Sequence, residues 1–261
     1  MSRGGVLEEK IVRGLLEAME VPRDGLVLIH CAFRGLSRAG FRGEAVVDAL
    51  AACMESGTIL MPAMSWRAVN PANPVFDEIL TPSIVGVLTE LFRVRLATHR
   101  SLHPTHSVAG RGRLVDALLG THHLDETPCS ARSPWGLLDD YDARVVLLGV
   151  EMDSCTLVHH VEETIAPDLY LQPAESRERY ICRDRNGREI EGYTRRTRRL
   201  PRNFWQFENI LAAEGGIRRY NITGTPCIGF RARDMVRIIS ETLRRRPDAI
   251  IAKPGERQKI M

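Results

Sequence analysis

The chain's fold is most tightly constrained by one stretch near its N-terminus. "GLVLIH" (25–30) is an apolar run of strand length, and "GTILMP" (57–62) is a second, stopped by Pro62. Between them lie a glycine- and arginine-bearing loop, "CAFRGLSRAGFRG", and a helical pattern over 43–54. Uninterrupted apolar runs of this length suit strands buried on both faces. Two such strands joined through a helix form a parallel βαβ unit, which requires helices on the faces of a central sheet.

The rest of the chain fits that frame. "ARVVLLGV" (143–150) reads as a further buried strand. Helices are expected at 6–19, at 81–95 from a Thr81-Pro82 start, and at 153–165 from an Asp153 or Ser154 cap. Two more are expected at 204–214 and 232–246. Residues 178–194 alternate around "RNG", an Asn-Gly turn that predicts a hairpin. No repeat or Pro/Gly-rich linker divides the chain. The expectation is one α/β domain over 1–261: a three-layer α/β/α sandwich with a mixed, partly parallel central sheet and a C-terminal β-hairpin.

Composition matters mainly for what it excludes. No apolar run approaches the roughly 18–20 residues that span a bilayer, so no membrane role is expected. The N-terminal pattern is a charged amphipathic helix and not a signal peptide, which makes the cytoplasm the expected compartment. Six scattered cysteines without a C-x-x-C pair argue against a disulfide framework and a zinc knuckle. A formal charge of +3 gives no ground for nucleic-acid binding. Residues 175–202 nevertheless carry ten Arg against five acids. Nothing in the sequence sets an oligomeric state.

Chemistry concentrates in "RSLHPTHSVAG" (100–110). Pro104 restricts itself and His103, favouring a fixed extended turn. An imidazole there can accept a proton at neutral pH, ligate a metal, or be structural. H-x-x-H in a proline turn is not the helical zinc motif, so the proton-transfer reading leads and no metal is expected. "HHVEE" (159–163) adds His159 and Glu162, three apart and on one helical face. A carboxylate there is suited to orient His106 and steady its cation, as the acid of a catalytic triad does. The loop 31–43 is a weaker candidate for phosphates, with no fixed glycine motif.

"GTILMPAMSW", "VFDEILTPSIVGVLTELFR", "RSLHPTHSVAG", "SPWGLL" and "VVLLGVEMDSCTLVHHVEE" occur in the order found in the aminoglycoside 3-N-acetyltransferase family, which the chain resembles along nearly its whole length. The resemblance implies a non-GNAT acyltransferase of the antibiotic-resistance type. Its donor would be acetyl-CoA and its acceptor a small-molecule amine, nominally the 3-amino group of an aminoglycoside. It implies His106 as general base with Glu162 near it, and Thr105 beside the developing oxyanion. It also implies Cys31, Ala32, Phe33, Arg34, Gly35 and Leu36 as the loop holding the CoA phosphates, with Ser101, His103 and Ser107 shaping the cofactor side. Trp66, Asp77 and His159 would face the acceptor.

The sequence also departs from the family pattern. Cys31 and Ala32 replace two serines, and Cys155 stands where Asn is common. "TRRTRRLPRNF" replaces an acidic stretch, so Arg196, Arg198, Arg199 and Arg202 either favour an anionic amine over a polycation or form a solvated surface. A non-aminoglycoside amine, such as an amino sugar or a natural-product intermediate, is therefore the alternative acceptor. A zinc-dependent hydrolase and a phosphate- or RNA-binding protein are the alternatives from other classes. An acyl-cysteine on Cys31 is disfavoured, because nothing nearby would make it a thiolate.

Overall fold

The computed structural model describes residues 3–260. Its strands, in chain order, are β1 (Leu26–Cys31), β2 (Thr58–Pro62), β3 (Val75–Asp77), β4 (His99–Arg100), β5 (Val108–Gly112) and β6 (Arg144–Leu148). They continue as β7 (Glu178–Arg183), β8 (Glu189–Thr194), β9 (Pro201–Arg202), β10 (Arg218–Ile222), β11 (Thr225–Arg231) and β12 (Lys259–Ile260). Seven of them build a central sheet in the order β10-β11-β6-β1-β2-β5-β4. β1 runs parallel to both β2 and β6, and the outer pairs are antiparallel, so the sheet is mixed.

Alternation along the strands makes the three layers. In β1, Leu26 and Leu28 join one core, while Val27, Ile29 and Cys31 join the other. In β6, Val145 and Leu147 face the first core, and Val146 and Leu148 the second. Helices Arg3–Ala18, Gly43–Cys53 and Val87–Arg95 cover the second face through Leu15, Val47, Leu50, Leu88 and Phe92. Helices Leu157–Ile165, Trp205–Ala213 and Ala232–Arg245 cover the first through Val161, Phe207, Leu211 and Ile239. Each fully buried aliphatic or aromatic side chain contributes about 1.5–3 kcal/mol over its exposed state. Among the described residues no helix is long and apolar enough to cross a membrane.

Two smaller sheets flank this sandwich. The expected hairpin is β7–β8, and β3 extends it to a sheet ordered β3-β7-β8 around Phe76 and Tyr180. Its Asn-Gly turn is pinned by the Asp184 carboxylate, which accepts from the amides of Asn186 and Arg188. β9 pairs with β12.

Three expectations are corrected. The helix expected from 81 begins at Val87, because Thr81 is used in a turn where its hydroxyl accepts from the Asp77 amide at 2.8 Å. Gly86 then enters the helix at φ 141°, a conformation open to glycine, with its Cα packed toward the Cys31 carbonyl. The helix expected from 153 begins at Leu157, after a separate 3-10 turn at Met152–Ser154, and neither Asp153 nor Ser154 caps it. The loop after β1 contains a short helix, Arg34–Arg38. The β10–β11 hairpin lay outside the expected elements. Its two-residue turn, Thr223–Gly224, has both residues at positive φ, as tight hairpins require.

Candidate active site

The three parallel strands end at one edge of the sheet, and a cavity of about 710 Å³ opens there. His30 and Cys31 from β1, Pro62 from β2 and Val150 just beyond β6 line it. Open α/β sheets characteristically place ligands at such carboxyl ends. Other elements bring Trp66, Thr105, His106, His159, Arg196, Arg199 and Phe204 to the same space.

The proline turn divides its side chains between scaffold and cavity. His103 is buried, and its Nδ1 accepts the amides of Thr105 at 3.2 Å and His106 at 3.0 Å. An acceptor nitrogen of this kind carries no proton. Burial, followed by the His122 and His106 rings, holds the His103 pKa well below its usual value. Ser101 accepts the Val108 amide and meets His122 Nδ1 at 2.8 Å. Ser107 donates to the Ala63 carbonyl at 2.7 Å and accepts from Arg100 Nε. Ser101, His103 and Ser107 thus satisfy a buried loop's polar groups and do not line the cavity, contrary to their expected place beside a cofactor.

Thr105 and His106 do line it. His106 Nδ1 lies 2.8 Å from the Thr105 hydroxyl, and its ring stacks on Trp66 at a centroid distance of 5.7 Å. Burial first, then the nearby His159, His122 and Arg196, keeps this imidazole neutral at pH 7. No carboxylate touches it among the described residues.

The expected link between Glu162 and His106 is not made. Glu162 Oε2 is 2.6 Å from His159 Nδ1, and Oε1 accepts from Arg202 Nε at 2.7 Å. The cause is local, since residues three apart on a helix share a face. Burial alone would raise the Glu162 carboxyl, but His159 and Arg202 outweigh it and hold the group below its ordinary value. Arg202 is itself fully buried, donating to the Arg198 carbonyl and lying over the Tyr170 ring. His159 therefore donates Nδ1–H to a fixed carboxylate while its ring lines the cavity against Phe204. Its Nε2 has no hydrogen-bond partner among the described residues. The neighbouring Glu163 and His160 are occupied elsewhere: Glu163 accepts the Cys129 amide, and His160 Nδ1 donates to the Cys129 carbonyl.

The other expected positions divide similarly. Cys31 lines the cavity at the end of β1, and burial raises its thiol pKa far above the usual value. Ala32, Phe33, Arg34, Gly35 and Leu36 are not in the lining. The Ala32 amide is bonded to the Leu148 carbonyl, Gly35 packs against the Thr225 side chain, and Leu36 is buried. Trp66 is at the site, but Asp77 is not. Its carboxylate accepts the amides of Ile79 and Leu80 at the end of β3. Among the described residues, no group of three or more His, Cys, Asp or Glu is placed to hold a metal ion.

His30, Phe204 and the Lys259–Ile260 strand also line the cavity, and no sequence motif marks them for it. His30 sits one residue before the expected loop, at the strand end that faces the cavity, and its Nε2 is buried without a partner among the described residues. Burial lowers its pKa to about 3. The signal available was its position alone, a polar residue closing an apolar strand.

Residues 28–244 match the family model described as aminoglycoside 3-N-acetyltransferase. The chain is 29% identical over 171 residues to the SPbeta prophage-derived aminoglycoside N(3')-acetyltransferase-like protein YokD of Bacillus subtilis, covering 58% of this chain and 62% of that protein. It is 28% identical over 227 residues to aminoglycoside N(3)-acetyltransferase III of Pseudomonas aeruginosa, covering 78% and 79%. The match to the first of these relatives therefore spans less than two thirds of that relative's length. A solved structure of AAC-IIIb in binary complex with CoASH has the same fold, with a TM-score of 0.77 at 21% identity over 95% of this chain and 98% of that one.

Proposed function

The chain belongs to the aminoglycoside 3-N-acetyltransferase family, and on that premise we propose that it transfers acetyl from acetyl-CoA to a small-molecule amine, with His159 as general base. The nominal acceptor is the 3-amino group of an aminoglycoside. The observation that carries the base assignment is the buried run His159–Glu162–Arg202, with contacts of 2.6 and 2.7 Å. Glu162 holds the proton on Nδ1, so Nε2 is the basic nitrogen that faces substrate.

The donor is supported by the family and by the CoASH complex of the similar AAC-IIIb. The cavity, about 710 Å³, falls within the roughly 300–1,000 Å³ usual for small-molecule sites. Its lining combines the apolar Trp66, Val150, Cys155 and Phe204, which suit an acylated thioester arm, with polar and charged side chains. The buried, unpartnered His30 Nε2 is one polar atom available to that arm.

In the reaction the amine nitrogen attacks the thioester carbonyl carbon, and His159 Nε2 takes the proton it loses. Glu162 stabilises the imidazolium that forms. The Thr105 hydroxyl is the side-chain donor nearest His106 in the lining and is suited to the developing oxyanion. Collapse breaks the C–S bond, and His159 returns its proton to the departing thiolate. The products are the acetamide and CoASH. Transfer is direct. Cys31 and Cys155 are buried thiols with pKa values pushed up, Cys155 to about 12, and neither is hydrogen-bonded to a base among the described residues.

The testing experiment follows CoA release from acetyl-CoA across a panel of amines. Amine-dependent release with intersecting initial-rate lines is expected. Absence of release with every amine would overturn the transfer reading. Parallel lines together with a trapped acetyl-Cys31 would overturn direct transfer.

A further inference from the structure

The charge lining the cavity is one-sided. Arg67, Arg196, Arg199 and Lys259 line it, opposed among the described residues by one lining carboxylate, Asp153, which lies 2.8 Å from Lys259 Nζ. The arginines differ in how they are held. Arg196 donates Nε to Glu178 at 2.7 Å, and Nη2 to the Tyr180 hydroxyl at 2.8 Å and the Val69 carbonyl at 3.4 Å. The Tyr180 hydroxyl in turn donates to the same Glu178 oxygen. Three contacts therefore fix this guanidinium while its Nη1 remains without a partner among the described residues. Arg67 and Arg199, both exposed, make no side-chain hydrogen bond or ion pair among the described residues.

The bond from Arg196 to the Val69 carbonyl joins the turn carrying Trp66 and Arg67 to the segment carrying Arg196 and Arg199. Trp66 stacks on His106, so this joined, cationic wall adjoins the imidazoles of the site. The other arginines of the stretch face away from this role. Arg195 donates to the Gln172 carbonyl, Arg198 to the Leu171 carbonyl, and Arg202 to Glu162.

A wall of this kind repels a polycation and attracts an anion, and a guanidinium held in place gives directional bonds to carboxylate or phosphate oxygens. We infer that the acceptor is an amine bearing an anionic group, a carboxylate or a phosphate, bound by Arg199 and Arg196 Nη1 while its amine reaches His159. This rests on the transfer reading above and replaces its nominal polycationic acceptor with an anionic amine. The phosphates of CoA are the rival ligand for the same arginines.

The test uses pairs of amines that share a skeleton: glucosamine against glucosamine 6-phosphate, and β-alaninamide against β-alanine, with gentamicin as the polycation. Binding by calorimetry and turnover by CoA release are both measured. The anionic member of at least one pair is expected to show kcat/KM about tenfold or more above its neutral counterpart, and to bind correspondingly tighter. The pair that responds identifies phosphate or carboxylate. Arg199→Glu, an exposed change, should erase that preference, and Arg67→Glu, which reverses a charge on the same wall without a direct contact, should weaken it, each with the KM for acetyl-CoA within about twofold of wild type. Gentamicin preferred over every anionic amine would overturn the inference. So would charge-reversal variants that raise the acetyl-CoA KM and spare the acceptor, since the arginines would then serve CoA. Anion-dependent binding without turnover of any amine would sustain this inference and fail the transfer reading alone.

Discussion

Replacing Glu162 with glutamine keeps the side-chain shape and removes one buried charge. The amide oxygen can still accept from Arg202 Nε, now 2.7 Å away, but the amide NH₂ then faces His159 Nδ1, now 2.6 Å away. A donor facing Nδ1 forces that nitrogen to accept, and the ring proton moves to Nε2. The imidazole is then in the wrong tautomer to take a proton from the amine. A matched change in a serine-protease triad lowers kcat about 10⁴-fold, and general-base catalysis contributes typically about 10²–10⁴. We therefore expect Glu162→Gln to lower kcat by about 10²–10⁴. The stability cost should lie near the lower end of the roughly 3–5 kcal/mol for breaking a buried pair, because Arg202 keeps an acceptor. A domain with about 5–15 kcal/mol in hand stays folded. The wild-type carboxyl is held below its ordinary range, so its contribution is present at neutral pH and is lost as pH falls through the folded-state value; the variant lacks that acid-side loss. CoA release measures turnover, and thermal melts with CoA calorimetry confirm a folded protein. A folded, CoA-binding variant with kcat within about tenfold of wild type would exclude His159 as the carboxylate-oriented base.

Three other changes have defined outcomes. Glu163, pushed from its ordinary 4.5 to about 8 chiefly by burial, keeps its proton in the folded state while the unfolded state loses it. The Glu163 contribution to stability is thus expected to fall as pH rises between about 4.5 and 8, at up to about 1.4 kcal/mol per pH unit, and it is read as the difference between urea titrations of wild type and Glu163→Gln over that window. Cys31→Ser should leave kcat within about threefold of wild type, because a buried thiol without a base takes no part in direct transfer; loss of turnover in rapid-quench assays would contradict this. Gly86→Ala places a Cβ at φ 141° and 3.1 Å from the Cys31 carbonyl, and calorimetric melts should show destabilisation of about 1–3 kcal/mol.

The sandwich was legible because β1, β2 and β6 are apolar on both faces, a pattern that needs helices above and below. The strands that escaped notice lacked such a signal. β5 is "VAGRG", short and broken by two glycines, and β10 alternates weakly around arginines. Helix starts failed for a tertiary reason. Thr81-Pro82 has a helix-start composition, but the Thr81 hydroxyl closes the turn after β3, and the Thr81 carbonyl accepts from the buried Arg100. At the site, the proline turn, Trp66, His159 and Glu162 were all legible as residues. Their pairing was not. The i,i+3 spacing of His159 and Glu162 already favoured each other as partners, while the stronger-looking His106 drew the carboxylate in the sequence reading. The arginines of 195–202 look alike in sequence, and only their partners separate cavity wall from scaffold. His30 follows Leu26 and Leu28 on one face of β1, and alternation alone does not separate a core position from one that lines a cavity at the strand end.

The proposed mechanism requires that His159, and not His106, takes the proton from the amine. The direct measurement is kcat for His159→Ala and His106→Ala side by side, with acetyl-CoA saturating and the acceptor varied. His159→Ala is expected to lower kcat by about 10²–10⁴ with little change in CoA affinity. His106→Ala, which removes the ring stacked on Trp66 but no carboxylate-paired base, should chiefly raise the acceptor KM and lower kcat by less than about tenfold. The reverse pattern, near-normal turnover without His159 and a collapse of kcat without His106, would contradict the claim.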